Sequence, residues 1–300
     1  MSAWGLTHPC AVGKVSASPG WAGRIETPRG NILRKILVLA AALVGALAIG
    51  LAPAGAIRNG ELDGNGHPFV GLMVAKDASG NPLWRCTGTL ISSTKFLTAG
   101  HCTEAPAARA EIWFQSDVES GIPGNGYPFD GQASGATFTH PQYNPNAFFL
   151  KDVGMVVIDE GAVPGGPYPT IVSVGELDAL NSKRGQQNTS FRAVGYGLQQ
   201  SFPDAASWKE SNVRVRMVAY PKLNQIDVPG FTGDFSMLLS NNARTGGTCF
   251  GDSGGPNFRG GTNVIAGVTS FGINGNCAGT GGVFRLDKAD VQAFIANPAG

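Results

Sequence analysis

From Ile57 to about residue 286 the chain is cut into short stretches, and this limits its fold more than any other feature. Candidate strands are VGLMVAK (70–76), GTLIS (88–92), AEIWF (110–114), VGMVVI (153–158), FRAVGYG (191–197), NVRVRMVAY (212–220), NVIAGVTSFG (263–272) and GGVFRL (281–286). Gly, Pro, Asn and Asp separate them. That spacing and turn chemistry predict an all-β barrel or sandwich. NVRVRMVAY alternates for most of its length, as a half-buried strand does. Only the tail, LDKADVQAFIA, reads as a helix, with Val291, Phe294 and Ile295 on one face and Asp287 as its cap. Gly and Pro cluster in GAVPGGPYP (161–169), which sets the expected break between residues 57–165 and 166–300. With 44 glycines and only 14% charged residues, the composition suits neither a disordered chain nor a helical repeat.

Residues 1–56 read differently. Arg34-Lys35 precedes 16 uncharged apolar residues (36–51), and Ala54-Gly55-Ala56 follows. Basic flank, apolar core and A-x-A form a three-part export signal, with cleavage expected after Ala56. The alternative is a membrane anchor, since the uncharged run continues to Ile57 and a span needs about 20 residues. Pro53 and the small residues after it favour cleavage, so the expected product is secreted and not held at a membrane. The 35 residues before the apolar core are long for a leader flank, which suggests a start later than Met1. The whole chain carries a net charge of +1; without residues 1–56, which hold five basic and one acidic side chain, it is about −3. Nothing there suggests a nucleic-acid surface.

Cys10 falls in the discarded segment, which leaves Cys86, Cys102, Cys249 and Cys277. An even count in an exported chain suggests disulfides. No C-x-x-C occurs, so zinc and thioredoxin-like readings lack their usual signature.

Three stretches carry chemistry: LTAGHC (97–102), KDVGMVVI (151–158) and CFGDSGGP (249–256). A hydroxyl is a weak nucleophile near neutral pH. It needs a base within hydrogen-bond reach and a group that fixes that base's tautomer. Ser253, His101 and Asp152 would supply these parts if the fold assembles them. Of the other histidines after residue 57, His67 and His140 each precede Pro in polar, turn-like surroundings. The glycines around Ser253 let backbone N–H groups converge on one point, as an oxyanion requires; Gly251 and Ser253 are the expected donors.

These segments resemble the trypsin/chymotrypsin-like serine endopeptidases, over roughly residues 57–296. LTAGHC matches that family's histidine motif, KDVGMVVI resembles its aspartate motif, and CFGDSGGP matches its serine motif. Gly195-Tyr196-Gly197 resembles the family's G-W-G turn. Ser270-Phe271-Gly272 resembles its S-W-G substrate strand. The resemblance implies two antiparallel six-stranded β-barrels with the site between them and a C-terminal α-helix. It implies that Ser253 attacks the scissile carbonyl, His101 shuttles the proton and Asp152 orients His101. It pairs Cys86 with Cys102 and Cys249 with Cys277. It implies protein or peptide substrates, protein inhibitors as partners, a monomer, and neither cofactor nor metal.

Family members begin at a hydrophobic residue whose freed ammonium pairs with the Asp before the nucleophile. Ile57-Arg58-Asn59-Gly60 resembles that start, with Arg58 and Asn59 departing from it, and the partner would be Asp252. One cut after Ala56 would then both release the enzyme and activate it. The resemblance puts the base of the primary pocket six residues before the serine, where Gly247 stands. With Gly272 and Gly282 as further small lining positions and Ser270 on the substrate strand, the pocket is expected to be uncharged and roomy, taking apolar or aromatic side chains. Two other readings are a catalytically silent, protease-like binding protein and a membrane-anchored form.

Overall fold

The computed structural model describes residues 57–181, 188–202, 206 and 211–300. The expected leader, its cleavage point after Ala56 and Cys10 lie outside the described residues. Among the described residues, no helix is long and apolar enough to cross a membrane.

A two-residue strand, β1 (Glu61–Leu62), comes first. Next come β2 (Val70–Lys76), β3 (Pro82–Leu90), β4 (Lys95–Thr98), β5 (Arg109–Trp113), β6 (Ala133–Thr139) and β7 (Gly154–Gly161). These six close into an antiparallel barrel in the order β2-β3-β4-β7-β6-β5. Val70 to Ala75 are all buried, which explains why β2 reads as a continuous apolar run: one face fills the barrel and the other lies toward β9 of the next sheet. The chain continues through β8 (Thr170–Ile171), β9 (Phe191–Gly195), β10 (Met217–Ala219), β11 (Leu223–Val228), β12 (Gly233–Asn241), β13 (Pro256–Arg259), β14 (Val264–Gly272) and β15 (Gly279–Arg285). It ends in one short helix, α1 (Ala289–Ala296). All of these residues belong to one unit, and the main apolar core runs through both sheets.

The all-β architecture, two barrel-like sheets and terminal helix agree with the sequence reading. Three details differ. The second sheet has nine strands in place of six, ordered β1-β10-β9-β13-β14-β15-β12-β11, with β8 running parallel to β14. The segment at Ile57 joins this second sheet, although residues 57–165 were expected in the first barrel. Glu61 pairs with Val218, and the fully buried Ile57 packs on Ala193, Met217 and Ala219. NVRVRMVAY yields only the three residues of β10. Its alternation misleads because Arg216 points inward and is fully buried. The guanidinium donates to Asp63 (2.7 Å), to the carbonyl oxygens of Val70, Phe114 and Gly64, and to the Tyr196 hydroxyl.

Val291, Phe294 and Ile295 do form the buried face of α1. Asp287 does not cap it. Its carboxylate is buried, takes two hydrogen bonds from Arg285 (2.9 and 2.7 Å) and accepts from Leu177 N. Asp178 and Asp227 also pair with Arg285, whose side chain is fully buried. Arg285→Met would leave the buried Asp287 carboxylate without its cation. We expect a loss of about 3 to 5 kcal/mol, measured by urea unfolding.

Candidate active site

His101 lies in a single 3-10 turn, Gly100–Cys102, directly after β4. Asp152 precedes β7, the strand paired with β4, so strand pairing carries two residues 51 apart in sequence to one point. Asp152 is fully buried. Its Oδ1 accepts the His101 backbone N–H (2.9 Å), and both its oxygens lie near His101 Nδ1 (3.1 and 3.0 Å). Ser270 Oγ donates to Asp152 Oδ2. The register between β14 and β15 shifts between Thr269 and Phe271, and this irregularity frees Ser270 from strict alternation. Burial pushes the His101 pKa down. The Asp152 charge and hydrogen bond, helped by Glu104, outweigh it and hold the pKa above the ordinary imidazole value.

Ser253 sits on the turn between β12 and β13. Gly254 follows it with φ +78°, and a Cβ there would lie 2.0 Å from Thr98 Oγ1, so only glycine fits. Thr87 ties this turn to the first barrel: its N–H donates to Ser253 O and its hydroxyl donates to Gly251 O, both at 2.8 Å. The N–H groups of Asp252, Gly254 and Gly255 are all hydrogen-bonded. Those of Gly251 and Ser253, the expected oxyanion donors, have no partner among the described residues. His101 and Ser253 line one cleft of about 270 Å³ together with Thr248, Cys249, Phe250, Thr269, Ser270, Phe271, Gly272 and Cys277.

Cys86 is bonded to Cys102, which anchors the histidine turn to β3, and Cys249 to Cys277, which bridges two walls of the cleft. The one compact His/Cys/Asp/Glu cluster among the described residues is Cys86, His101 and Cys102. Its two sulfurs are joined, so it offers no thiolate to a metal.

Two expected pocket residues lie elsewhere. Gly247 is absent from the cleft wall. It pairs with Arg58, and the space a Cβ would need is filled by Asn241 (2.3 Å). Gly282 is covered by the Phe271 ring, with ring atoms 2.3 to 2.4 Å from where its Cβ would stand. Gly272 and Ser270 do line the cleft. Among the described residues, no lining residue apart from His101 is ionisable, since both cysteines are bonded. Asp252 is fully buried, and its oxygens accept from Gly197 N (2.7 Å) and Cys249 N (2.8 Å). Ile57 and Asp252 are not paired in this uncut chain, where the Ile57 nitrogen is an ordinary peptide N–H. Sequence reasoning did not find Thr87, because a lone Thr carries no motif, and it named Ser270 for the substrate strand, not as a brace for Asp152.

Residues 61–291 match the family model described as Trypsin. The chain belongs to the trypsin family. Serine protease 1 of Drosophila melanogaster is 28% identical over 227 residues, covering 74% of this chain and 78% of that protein. Collagenase of Hypoderma lineatum is 25% identical over 203 residues, covering 64% and 67%. A solved collagenase structure overlays with a TM-score of 0.58 at 22% identity, covering 77% of this chain and 94% of the other, and shows the shared fold. This trypsin-family chain is a serine endopeptidase, a hydrolase acting on protein or peptide substrates.

Proposed function

We propose that this endopeptidase works through Ser253, His101 and Asp152, is secreted, and cleaves after apolar or aromatic residues. The assembly of His101 on the buried Asp152, beside Ser253 in one cleft, supports this reading most directly. Ser253 Oγ attacks the scissile carbonyl while His101 takes its proton. The unbonded N–H groups of Gly251 and Ser253 receive the oxyanion. His101 then gives the proton to the leaving amine, and water repeats the sequence on the acyl-enzyme. Asp152 holds the Nδ1–H tautomer, which leaves Nε2 free as base. The uncharged cleft wall supports apolar or aromatic selectivity. Two disulfides and the A-x-A sequence before Ile57 support export.

The test uses protein beginning at Ile57. An organophosphate probe should add one phosphoryl group, and peptide mapping should place it on Ser253. Digestion of a peptide library should cut mainly after Phe, Tyr, Leu or Met. No adduct would defeat the triad reading, and cleavage mainly after Lys or Arg would defeat the selectivity alone.

A further inference from the structure

Arg85 stands out beside this site. It lies on β3 next to Cys86, and its guanidinium reaches the far flank of the oxyanion turn. Nη2 and Nε lie 3.1 and 3.3 Å from the point where a Gly251 Cβ would stand. Neither Arg85 nor Gly251 is part of the cleft wall, which Thr248, Cys249, Phe250, Ser253 and Thr269 to Gly272 form. The acyl part of a substrate occupies that cleft. A group beyond Gly251 on the first barrel therefore faces the part that leaves.

Among the described residues no carboxylate bonds to Arg85; Asp252 and Glu119 act on it only at longer range. The side chains that offer it oxygens, Asn212 and Tyr127, are not carboxylates. Among the described residues it forms no ion pair, while Arg109, Arg214, Arg216, Arg259 and Arg285 each do. Asp252 is turned away, with both its oxygens on backbone N–H groups. Burial foremost, with the like charge of Arg214, lowers the Arg85 pKa, so an incoming anion would relieve it. A guanidinium remains charged at any working pH, and its planar fork fits a carboxylate.

We propose that Arg85 binds a carboxylate on the leaving-group side of the scissile bond, so that the enzyme favours an acidic residue there. This rests on the endopeptidase reading above and adds selectivity to the same site. The carboxylate can belong to an Asp or Glu side chain or to a chain end, and the test separates these.

Acyl transfer reads the leaving-group side alone. A reactive ester with an apolar acyl residue forms the acyl-enzyme, and added amines compete with water for it. The amine nitrogen bonds to the acyl carbon, the carbon–Oγ bond breaks, and the amine's proton passes through His101 to Ser253 Oγ. The amines are Glu-amide against Gln-amide, Gly-Glu-amide against Gly-Gln-amide, and Gly-Gly against Gly-Gly-amide. Wild type should favour one of the acidic amines roughly tenfold, and the pair showing this places the carboxylate. The preference should fall as salt rises. Arg85→Gln should bring the ratio near one, and Arg85→Lys should keep part of it. A wild-type ratio near one for every pair overturns the proposal without touching the protease reading. A ratio that persists in Arg85→Gln also overturns it, leaving Arg85 as a counter-charge for Asp252. Failure to form any acyl-enzyme overturns both.

Discussion

Asp152→Asn should lower kcat by about 10⁴, the loss this family's triad shows for that change, and should move the acid limb of the pH profile down. The hydrogen bonds around Asp152 give the reason. Its carboxylate faces three donors: the His101 backbone N–H, His101 Nδ1–H and the Ser270 hydroxyl. Asn offers one oxygen and two N–H groups. With its oxygen kept on the His101 backbone N–H, its NH₂ points toward Nδ1 and Ser270. Ser270 can rotate to accept. His101 must then accept at Nδ1 and carry its proton on Nε2, where it cannot act as base. Some activity should remain, because the proposed oxyanion donors are untouched.

The pH shift has a separate cause. In the native protein the Asp152 charge holds the His101 pKa above the ordinary imidazole value, although burial alone would lower it. Activity needs neutral His101, so the wild-type acid limb should lie above about pH 6.5. Removing the charge leaves burial as the main influence and moves the limb lower. Steady-state kcat/KM from pH 5 to 9 for both proteins checks this. A limb that stays in place while kcat falls would mean that Asp152 does not set the His101 pKa. Ser270→Ala gives a graded control, because it removes one bond to Asp152 and keeps the charge.

The sequence made the site legible where the chemistry needs several residue types close together in sequence. CFGDSGGP requires glycines for backbone approach and a Ser to react, so its pattern is dense. The same density is missing from Thr87 and Arg85, which reach the site from β3, and Ser270 was marked only for the substrate strand. Each is an ordinary residue in its own strand, and only strand pairing shows what it faces. The strands followed a similar rule. Runs such as VGLMVAK were legible because burial on both faces leaves them apolar throughout. Lys95–Thr98, Ala133–Thr139 and Gly233–Asn241 were missed. They mix Ser, Thr, Gly or Lys with apolar residues and show no clean alternation. Arg216 was misjudged because a buried arginine looks, in sequence, like a solvent-facing one. Gly247 was placed by counting and Gly282 by resemblance, and neither can show that Asn241 or Phe271 fills the space they leave.

The chain that still carries Ala56 should be far less active than the chain beginning at Ile57, by about 10² to 10³ in kcat. That is roughly the effect of losing one oxyanion donor. In the uncut chain, burial pushes the Asp252 carboxyl up to about 7, against two backbone hydrogen bonds and the more distant Arg85 charge, which lower it. Asp252 lies between Gly251 and Ser253, the two proposed oxyanion donors, so whatever holds it also holds them. A free ammonium at Ile57 would supply the full charge that Asp252 lacks, and Asp252→Asn in the cut chain should remove most of that gain. Stability gives an independent check. In the uncut chain the folded state keeps a proton on Asp252 that the unfolded state releases above about pH 4. Stability should therefore fall as pH rises from about 4 to about 7, at up to about 1.4 kcal/mol per pH unit. In the cut chain the ammonium pair keeps Asp252 ionised, and that slope should shrink. The pair holds while the amine is charged, and an amine raised above its ordinary value of about 8 releases Asp252 only at higher pH. Urea unfolding of cut and uncut Ser253→Ala protein, which avoids self-digestion, measures both slopes. Equal slopes, together with equal activity of the two active forms, would show that Ile57 is merely a buried side chain and that the oxyanion site assembles without it.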